Sequence, residues 1–493
     1  MDVTAVAPFR RRVSGAAVVA TLIGLIGAGG AGASSPTSVA FANYAAPPGF
    51  TAPRPSNQCI GSLHPLTCDW TGEPSIGVDR RTGKVMYQGW LTTARITFDD
   101  RKSPAVATWK DVSWPGTGVD SFDSILFTDP ATGRTVVSQL SGVCSVSAFT
   151  DDDGASWTPA VKSCQTPAGA DHQTIGGGPF PAAAVPHVGY SDALYYCSQN
   201  FAYASCAVSL DGGLTYGVGN PMYAVDTCEG LHGHVKVAPD GTVYVPNKGC
   251  GAPDCAVVTT GASSPCRKGL LVSRDEGLTW HLSLIPDSSV KDEGGSDPSV
   301  GIGRRGTVYY GYDGRDGEPR IAVSHDHGTT WSPSVDVGAA VGVHNIEFPE
   351  VVAGDDGRAA FAFIGTSTAG DDQAPTFAGV WYLYVAFTYD GGRTWKTVNA
   401  TPGDPVQRGC VQLLTSCGRR NMLDFNDMTI DKDGRVLVAY TDGCAGPCET
   451  DPHNTQQYRV ASLVRQTCGR GLLAVDDPGF PLTCSAGRTA RRR

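Results

Sequence analysis

Seven short apolar runs in this sequence are opened by Glu73, Asp123, His172, His234, Asp297, Phe348 and Asp427. Six of these seven residues are ionisable, although apolar residues follow, as in "EPSIGV", "DSILF" and "DPSVGI". Carboxylates and imidazoles recurring at one structural position are the material of general acid–base chemistry. A pair drawn from Glu73, Asp123, Asp297 and Asp427 could hydrolyse a glycosidic bond. One member would stay protonated because like charges crowd it. His172 or His234 could instead serve as the base of a polysaccharide elimination, with a tyrosine and an arginine assisting. His232 and His234 stand two apart on a strand and share a face. With His172 they form a candidate divalent-metal set, although none of these readings requires a cofactor. Tyr312 and the arginines Arg95, Arg315, Arg320, Arg408, Arg419 and Arg420 fall in the long connections nearby. A guanidinium fork suits a sugar carboxylate, which makes these arginines candidate substrate ligands.

Each opening residue begins a repeated unit: a short apolar strand, a tight Asp/Gly turn and a second alternating strand. A second pattern interleaves with the first. "VSRDEGLTWH" at 272 has close variants at 149, 208, 323 and 387, with aspartates at 152, 211, 275, 326 and 390. The spacing predicts a hairpin turn in each box. The aspartate accepts backbone N–H groups, the glycine takes positive φ, and the aromatic packs on the neighbouring unit. In unit one the box is interrupted between "TFDD" and "TW"; unit seven has a third strand, "YRVASLV", and no box.

Strand, turn, strand, strand, box and strand make a four-stranded antiparallel blade. The sequence therefore reads as all-β, a single β-propeller of such blades over residues 57–468. Seven blades are expected, or six if unit one or seven is decoration. The outer strand of blade seven is expected from the segment after Gln58. In a propeller the inner strands open at one mouth, and the boxes lie on the opposite face. The box aspartates are therefore expected to be structural, and the ionisable openers to ring the mouth.

The 493 residues carry a formal charge of −10, only 17% charged residues, 62 Gly and 33 Pro. That composition is turn-rich and globular, and it argues against a nucleic-acid partner. Arg10, Arg11 and Arg12 precede a short Gly-broken apolar run and then small residues, the pattern of an export signal cut after Ala33 or Ala40. Residues 1–40 are expected to be signal and linker, 41–56 a Pro/Ala-rich segment, and 469–493 an extension with a basic tail. The 16 cysteines all follow the signal and are even in number, so disulfides are expected. Neighbour pairing gives Cys59/Cys68, Cys144/Cys164, Cys197/Cys206, Cys228/Cys250, Cys255/Cys266, Cys410/Cys417, Cys444/Cys448 and Cys468/Cys484. The expected product is a secreted monomer with no membrane span in its mature form.

The boxes resemble the Asp-box, or BNR, repeat of the sialidase-like superfamily, in five copies over about half the chain. That resemblance implies a propeller and a glycoside hydrolase acting on a carbohydrate or glycoconjugate. It also implies an arginine triad, a tyrosine nucleophile with a neighbouring carboxylate, and an aspartate acid/base. Here Arg95, Arg320 and Arg408 or Arg420 would form the triad, and Tyr312 would be the nucleophile. The family's early Arg-Ile-Pro signature is only echoed, in "ARITF". A lyase and a non-catalytic carbohydrate- or protein-binding propeller remain alternatives, because fold does not fix function.

Overall fold

The computed structural model describes residues 38–47, 71–116, 122–141, 144–160, 163–164, 171–182, 189–200, 202–228, 232–252, 255, 266–291, 295–411, 422–450, 459–475 and 484. Seven antiparallel sheets stand in a ring. Their innermost strands are Ser75–Asp79, Phe122–Thr128, Asp171–Pro179, Lys236–Val237, Ser299–Ile302, Asn345–Ala353 and Asp427–Ile430. Each packs on the next, and the seventh packs on the first, which closes the circle. The fold is thus a seven-bladed propeller; the six-blade alternative is not realised.

The blades form because their strands are apolar on both faces. In blade five, Val308–Asp313 is buried along its whole length. Tyr310 turns toward blade four, while Tyr309 packs with Val351, Phe361 and Phe363 of blade six. Such strands cannot face water and must be sandwiched between neighbouring sheets. Near the axis the strands approach so closely that side chains do not fit. A Cβ on Gly176 would lie 2.3 Å from the carbonyl oxygen of Val235, and one on Gly301 would lie 2.8 Å from the Val352 carbonyl carbon.

Blade seven is completed from the other end of the chain. Its sheet runs Asp427–Ile430, Val436–Asp442 and Val460–Cys468, with Ala40–Ala45 as the outer strand. The expectation that a segment after Gln58 would supply this strand is therefore corrected, and the propeller begins before residue 57. It also extends past residue 468. Leu472 and Leu473 are buried in the core of blades six and seven, and Leu472 N donates to Gly434 O at 2.8 Å. Pairing from both chain ends trades a free sheet edge for a ladder of hydrogen bonds.

Among the described residues, Cys197–Cys206, Cys228–Cys250, Cys255–Cys266, Cys444–Cys448 and Cys468–Cys484 are disulfides, as neighbour pairing predicts. Cys59 and Cys68 lie outside the described residues. No helix among the described residues is long and apolar enough to cross a membrane. The signal-like run lies outside them.

The five boxes occupy the turns between third and fourth strands of blades two to six. In each, the aspartate Oδ1 accepts a backbone N–H four residues on: Ser156, Thr215, Thr279, Thr330 and Thr394, at 2.8–2.9 Å. Oδ2 accepts the hydroxyl of the same residue. The Ser or Thr two residues before the aspartate receives the N–H of a glycine with φ between 79° and 92°. Trp157 Nε1 reaches Val112 O in blade one, and Trp331 Nε1 reaches Ser283 Oγ in blade four. Every oxygen of these aspartates is committed to its own turn. Hydrogen bonds from Ser156 hold Asp152 down to about 2.

Candidate functional site at the propeller mouth

The inner strands do not enter the ring smoothly. Glu73, Asp123, His172 and Phe348 have φ of 53°, 51°, 54° and 58°, the left-handed region that non-glycine residues rarely adopt. Three of the four sit at register shifts in their strands, between Phe122 and Ile125, Asp171 and Thr174, and Glu347 and Glu350. A bulge with one left-handed residue re-aims a side chain out of the sheet's alternation. Strain of this kind costs on the order of 1–3 kcal/mol per residue and clusters at sites of function.

A repeated hydrogen bond orders the ring into two levels. Leu126 N donates to Ser75 Oγ (2.7 Å), Val235 N to Thr174 Oγ1 (3.1 Å), Val351 N to Ser299 Oγ (3.0 Å) and Ile76 N to Asp427 Oδ2 (2.8 Å). Acceptors, and the residues just before the donors, mark one deep level: Ser75, Ile125, Thr174, His234, Ser299, Glu350 and Asp427. Two residues earlier along each blade's chain stands the second level, the rim: Glu73, Asp123, His172, His232, Asp297, Phe348 and Phe425. The expectation of one level is corrected, since His234 and Asp427 lie two residues below Glu73, Asp123, His172 and Asp297. Phe348 is buried with the apolar core of blades six and seven.

On the rim, His172 Nε2 lies 2.6 Å from Asp297 Oδ2, spanning from blade three to blade five. His172 N also donates to Asp123 Oδ2 at 2.9 Å. Burial works to raise the Asp297 carboxyl, but His172, through charge and hydrogen bond, together with Lys248 and His232 outweighs it and holds the group down to about 2. Asp297 is therefore an anion at any working pH. On the opposite arc, carboxylate oxygens of Glu73, Asp123 and Asp424 lie within 4.8 Å of one another.

At the deep level, His234, Glu350 and Asp427 present donor atoms within the same 4.8 Å. His234 Nδ1 is 3.5 Å from Glu350 Oε1, and Lys236 Nζ is 3.9 Å from Asp427 Oδ1. Burial, with help from Lys236 and His172, drives the His234 imidazole well below its usual range, so it is neutral. Burial lifts Glu350 to about 8, and Asp427 and Asp297 add to the rise against Lys236. Burial also raises Asp427. Glu350 thus keeps a proton near neutrality, while Asp297 on the adjoining blade stays ionised. Carboxyls pushed apart in this way are the signature of an acid and its ionised counterpart. Beneath them an axial channel of about 220 Å³ runs past Lys236, Val300, Val351 and Met428 toward Arg80.

Other candidates lie elsewhere. Tyr312 is buried between blades, and its hydroxyl bonds Ser334 Oγ at 2.7 Å, away from the rim. Arg95 Nη1 donates to Asp153 O, in a box turn on the far face. Arg320 lies 3.9 Å from Glu318 in the hairpin between the second and third strands of blade five, and Arg408 binds Cys448 O and Glu449 O of a short helix. Arg419 and Arg420 lie outside the described residues. Arg95, Arg320 and Arg408 therefore do not form a triad. Nor do His172, His232 and His234 form the expected metal set. The His172 Nε2 is engaged by Asp297, and the His232 ring lies edge-on to it at 5.4 Å. Among the described residues, the sets that converge are His234–Glu350–Asp427 and Glu73–Asp123–Asp424. In the first, the Lys236 ammonium already sits beside the carboxyls.

Sequence reasoning missed Glu350, Lys236 and Asp424. Glu350 was legible. Aligning "FPEVV" with "DPSVG" at the proline puts Phe348 over Asp297 and Glu350 over Ser299. Asp424 carries no such signal, because no motif leads to it.

No family model matches the sequence, and no curated protein does. Several solved structures are similar to this chain at low identity. A protein of unknown function from Dyadobacter fermentans has TM-score 0.40 and 14% identity, covering 80% of this chain and 94% of that one. The GH74 enzyme of Niastella koreensis has TM-score 0.44 and 17% identity, covering 79% and 54%. Trypanosoma rangeli sialidase has TM-score 0.39 and 12% identity, covering 74% and 56%.

Proposed function

We propose that the mouth is the active site of an exported glycoside hydrolase that uses two ordinary carboxyls. Carbohydrate as the substrate class follows from the resemblance of the boxes to the sialidase-like superfamily. The observation that carries the chemistry is the pairing of opposites on adjacent blades: Asp297 held ionised at about 2 and Glu350 held protonated at about 8. In this reading Glu350 protonates the leaving oxygen, and Asp297 stabilises the developing cationic sugar carbon or activates water. His172 fixes the Asp297 carboxylate in place, and the Glu73–Asp123–Asp424 arc contacts sugar hydroxyls. Tyr312 has no role as nucleophile, so a sialidase mechanism built on it is set aside. The protein is read as a disulfide-braced, secreted monomer.

A second reading rests on the His172–Asp297 contact of 2.6 Å. A carboxylate-backed imidazole can abstract the proton α to a uronate carboxylate and initiate elimination. Incubation with a glycan panel, followed by mass spectrometry, separates the readings. A gain of one water per cleavage supports hydrolysis, and an unsaturated product absorbing in the ultraviolet supports elimination. Binding without product would leave a non-catalytic propeller.

A further inference from the structure

Behind Asp297 lies a set of buried charges that the proposed chemistry does not use. Lys268, Lys291, Asp313, Glu347 and Asp372 are all at most 4% exposed, and they come from blades four, five and six. Lys268 Nζ donates to Asp313 Oδ1 at 2.5 Å. Lys291 Nζ donates to Glu347 Oε1 at 2.7 Å and to Asp372 Oδ2 at 2.6 Å. Five ionisable groups inside a propeller wall are expensive to desolvate, and apolar packing would be at least as stable. Their arrangement invites a reason other than stability.

The two halves of the network meet at one residue. Ser296 N donates to Asp313 Oδ2 at 3.0 Å, and Ser296 Oγ donates to Glu347 Oε2. The same hydroxyl accepts Phe348 N at 2.9 Å. Lys248 Nζ reaches the preceding carbonyl, Gly295 O, at 3.5 Å. Ser296 is the residue before Asp297, and Phe348 is the left-handed residue of the bulge that leads to Glu350. One hydroxyl therefore ties the peptide carrying Asp297 to the bulge that sets Glu350.

We propose that Ser296, with the buried Glu347–Lys291–Asp372 and Lys268–Asp313 charges, is a positioning centre that fixes Asp297 against His172 and Glu350 at the depth of the axis. As catalytic groups, Asp297 and Glu350 rest on the hydrolase reading; their positioning by Ser296 does not. The network acts as an anchor from behind. Lys291 lies between the two carboxyls; burial raises Glu347, and the Lys291 ammonium works against that rise. No atom of the network touches substrate. Its effect reaches the mouth only through the backbone from Ser296 to Asp297 and from Glu347 to Glu350.

The test uses the whole protein and the variants Ser296→Ala, Ser296→Thr and Glu347→Leu. The first readout is the ring titration of His172, followed by proton NMR and assigned with His172→Gln. It is available whether or not any glycan is cleaved. Ser296→Ala should move the His172 midpoint by about half a pH unit or more, as the Asp297 carboxylate drifts from the ring. Ser296→Thr, which keeps the hydroxyl, should restore it. If a glycan is turned over, Ser296→Ala should also lower kcat about tenfold or more with KM little changed, as a misplaced reacting group does. Should Ser296→Ala not fold, Glu347→Leu removes the partner of the same hydroxyl at similar side-chain volume and leaves Lys291 paired with Asp372, and the same shift is expected. An unchanged His172 titration in a folded variant, with only the melting temperature lowered, overturns the proposal. A shifted titration in a protein that cleaves no glycan upholds the positioning role and overturns the hydrolase reading.

Discussion

The two faces of this propeller solve opposite problems with the same residue type. On the box face, Asp152, Asp211, Asp275, Asp326 and Asp390 each satisfy backbone and hydroxyl donors within four residues of themselves. At the mouth, Asp297 meets His172 from two blades away, and Asp427 meets Ile76 across 351 residues of chain. A box aspartate is saturated by its own turn, so it has nothing left for a ligand. A mouth carboxyl takes its partners from other blades, so its protonation is set by the assembled ring. Locality of the partners, more than residue type, separates scaffold from site.

The contrast is broken most sharply by paired substitutions. Asp297→Asn should lower turnover on the responsive glycan by about 10³-fold, a charge lost at the reacting centre, while the protein stays folded. Glycan cleavage assays beside thermal melts check this, and wild-type turnover in a folded Asp297→Asn variant would remove Asp297 from the site. Asp275→Asn should do the reverse. It should leave kcat within about threefold and cost about 1–3 kcal/mol through orphaned turn donors, read by denaturant unfolding.

The two faces also part company with pH. Asp152 and Asp326 are both lowered to about 2, as is Asp297. A carboxyl lowered by folding contributes stability above its unfolded value of about 3.9, and this is lost as pH falls through the folded value. Glu347 and Glu350 are raised to about 8. Their contribution is full below about 4.3 and is lost as pH rises toward 8. Unfolding free energy should therefore decline between about pH 5 and pH 8, and Glu350→Gln should flatten that decline while Asp275→Asn leaves it unchanged. A slope unaffected by Glu350→Gln would show that Glu350 does not carry the proton. The smallest effect is expected of Tyr312→Phe. It loses one buried hydroxyl contact to Ser334, worth about 1 kcal/mol, and turnover should stay within about twofold of wild type.

Much of this was legible in the sequence, for reasons that differ between the faces. The boxes and the seven units were readable because a hairpin's turn chemistry lies within ten consecutive residues and repeats. The ionisable openers were found because strand onset is marked by local pattern. Depth was not readable. Bulges at Asp123, His172 and Phe348 shift the register by a residue, and only pairing with the next strand reveals the shift. His234 and Asp427 each precede an apolar run as Glu73 does, and only the hydrogen bonds to the next blade place them two residues lower. Tyr312 and the arginines were misplaced on similar grounds, since a residue near a loop can face the core, the box face or a helix end.

The amino-acid sequence alone determined the blade repeat, the turn chemistry of the boxes and the structural character of the box aspartates. All depend on contacts between residues close along the chain. Only the tertiary structure decided that Ala40–Ala45 closes blade seven, that burial raises the Glu350 carboxyl, and that His172 faces Asp297. Each of these depends on which blades become neighbours and on how deeply the ring removes a charge from water. Those quantities exist only once the circle is closed.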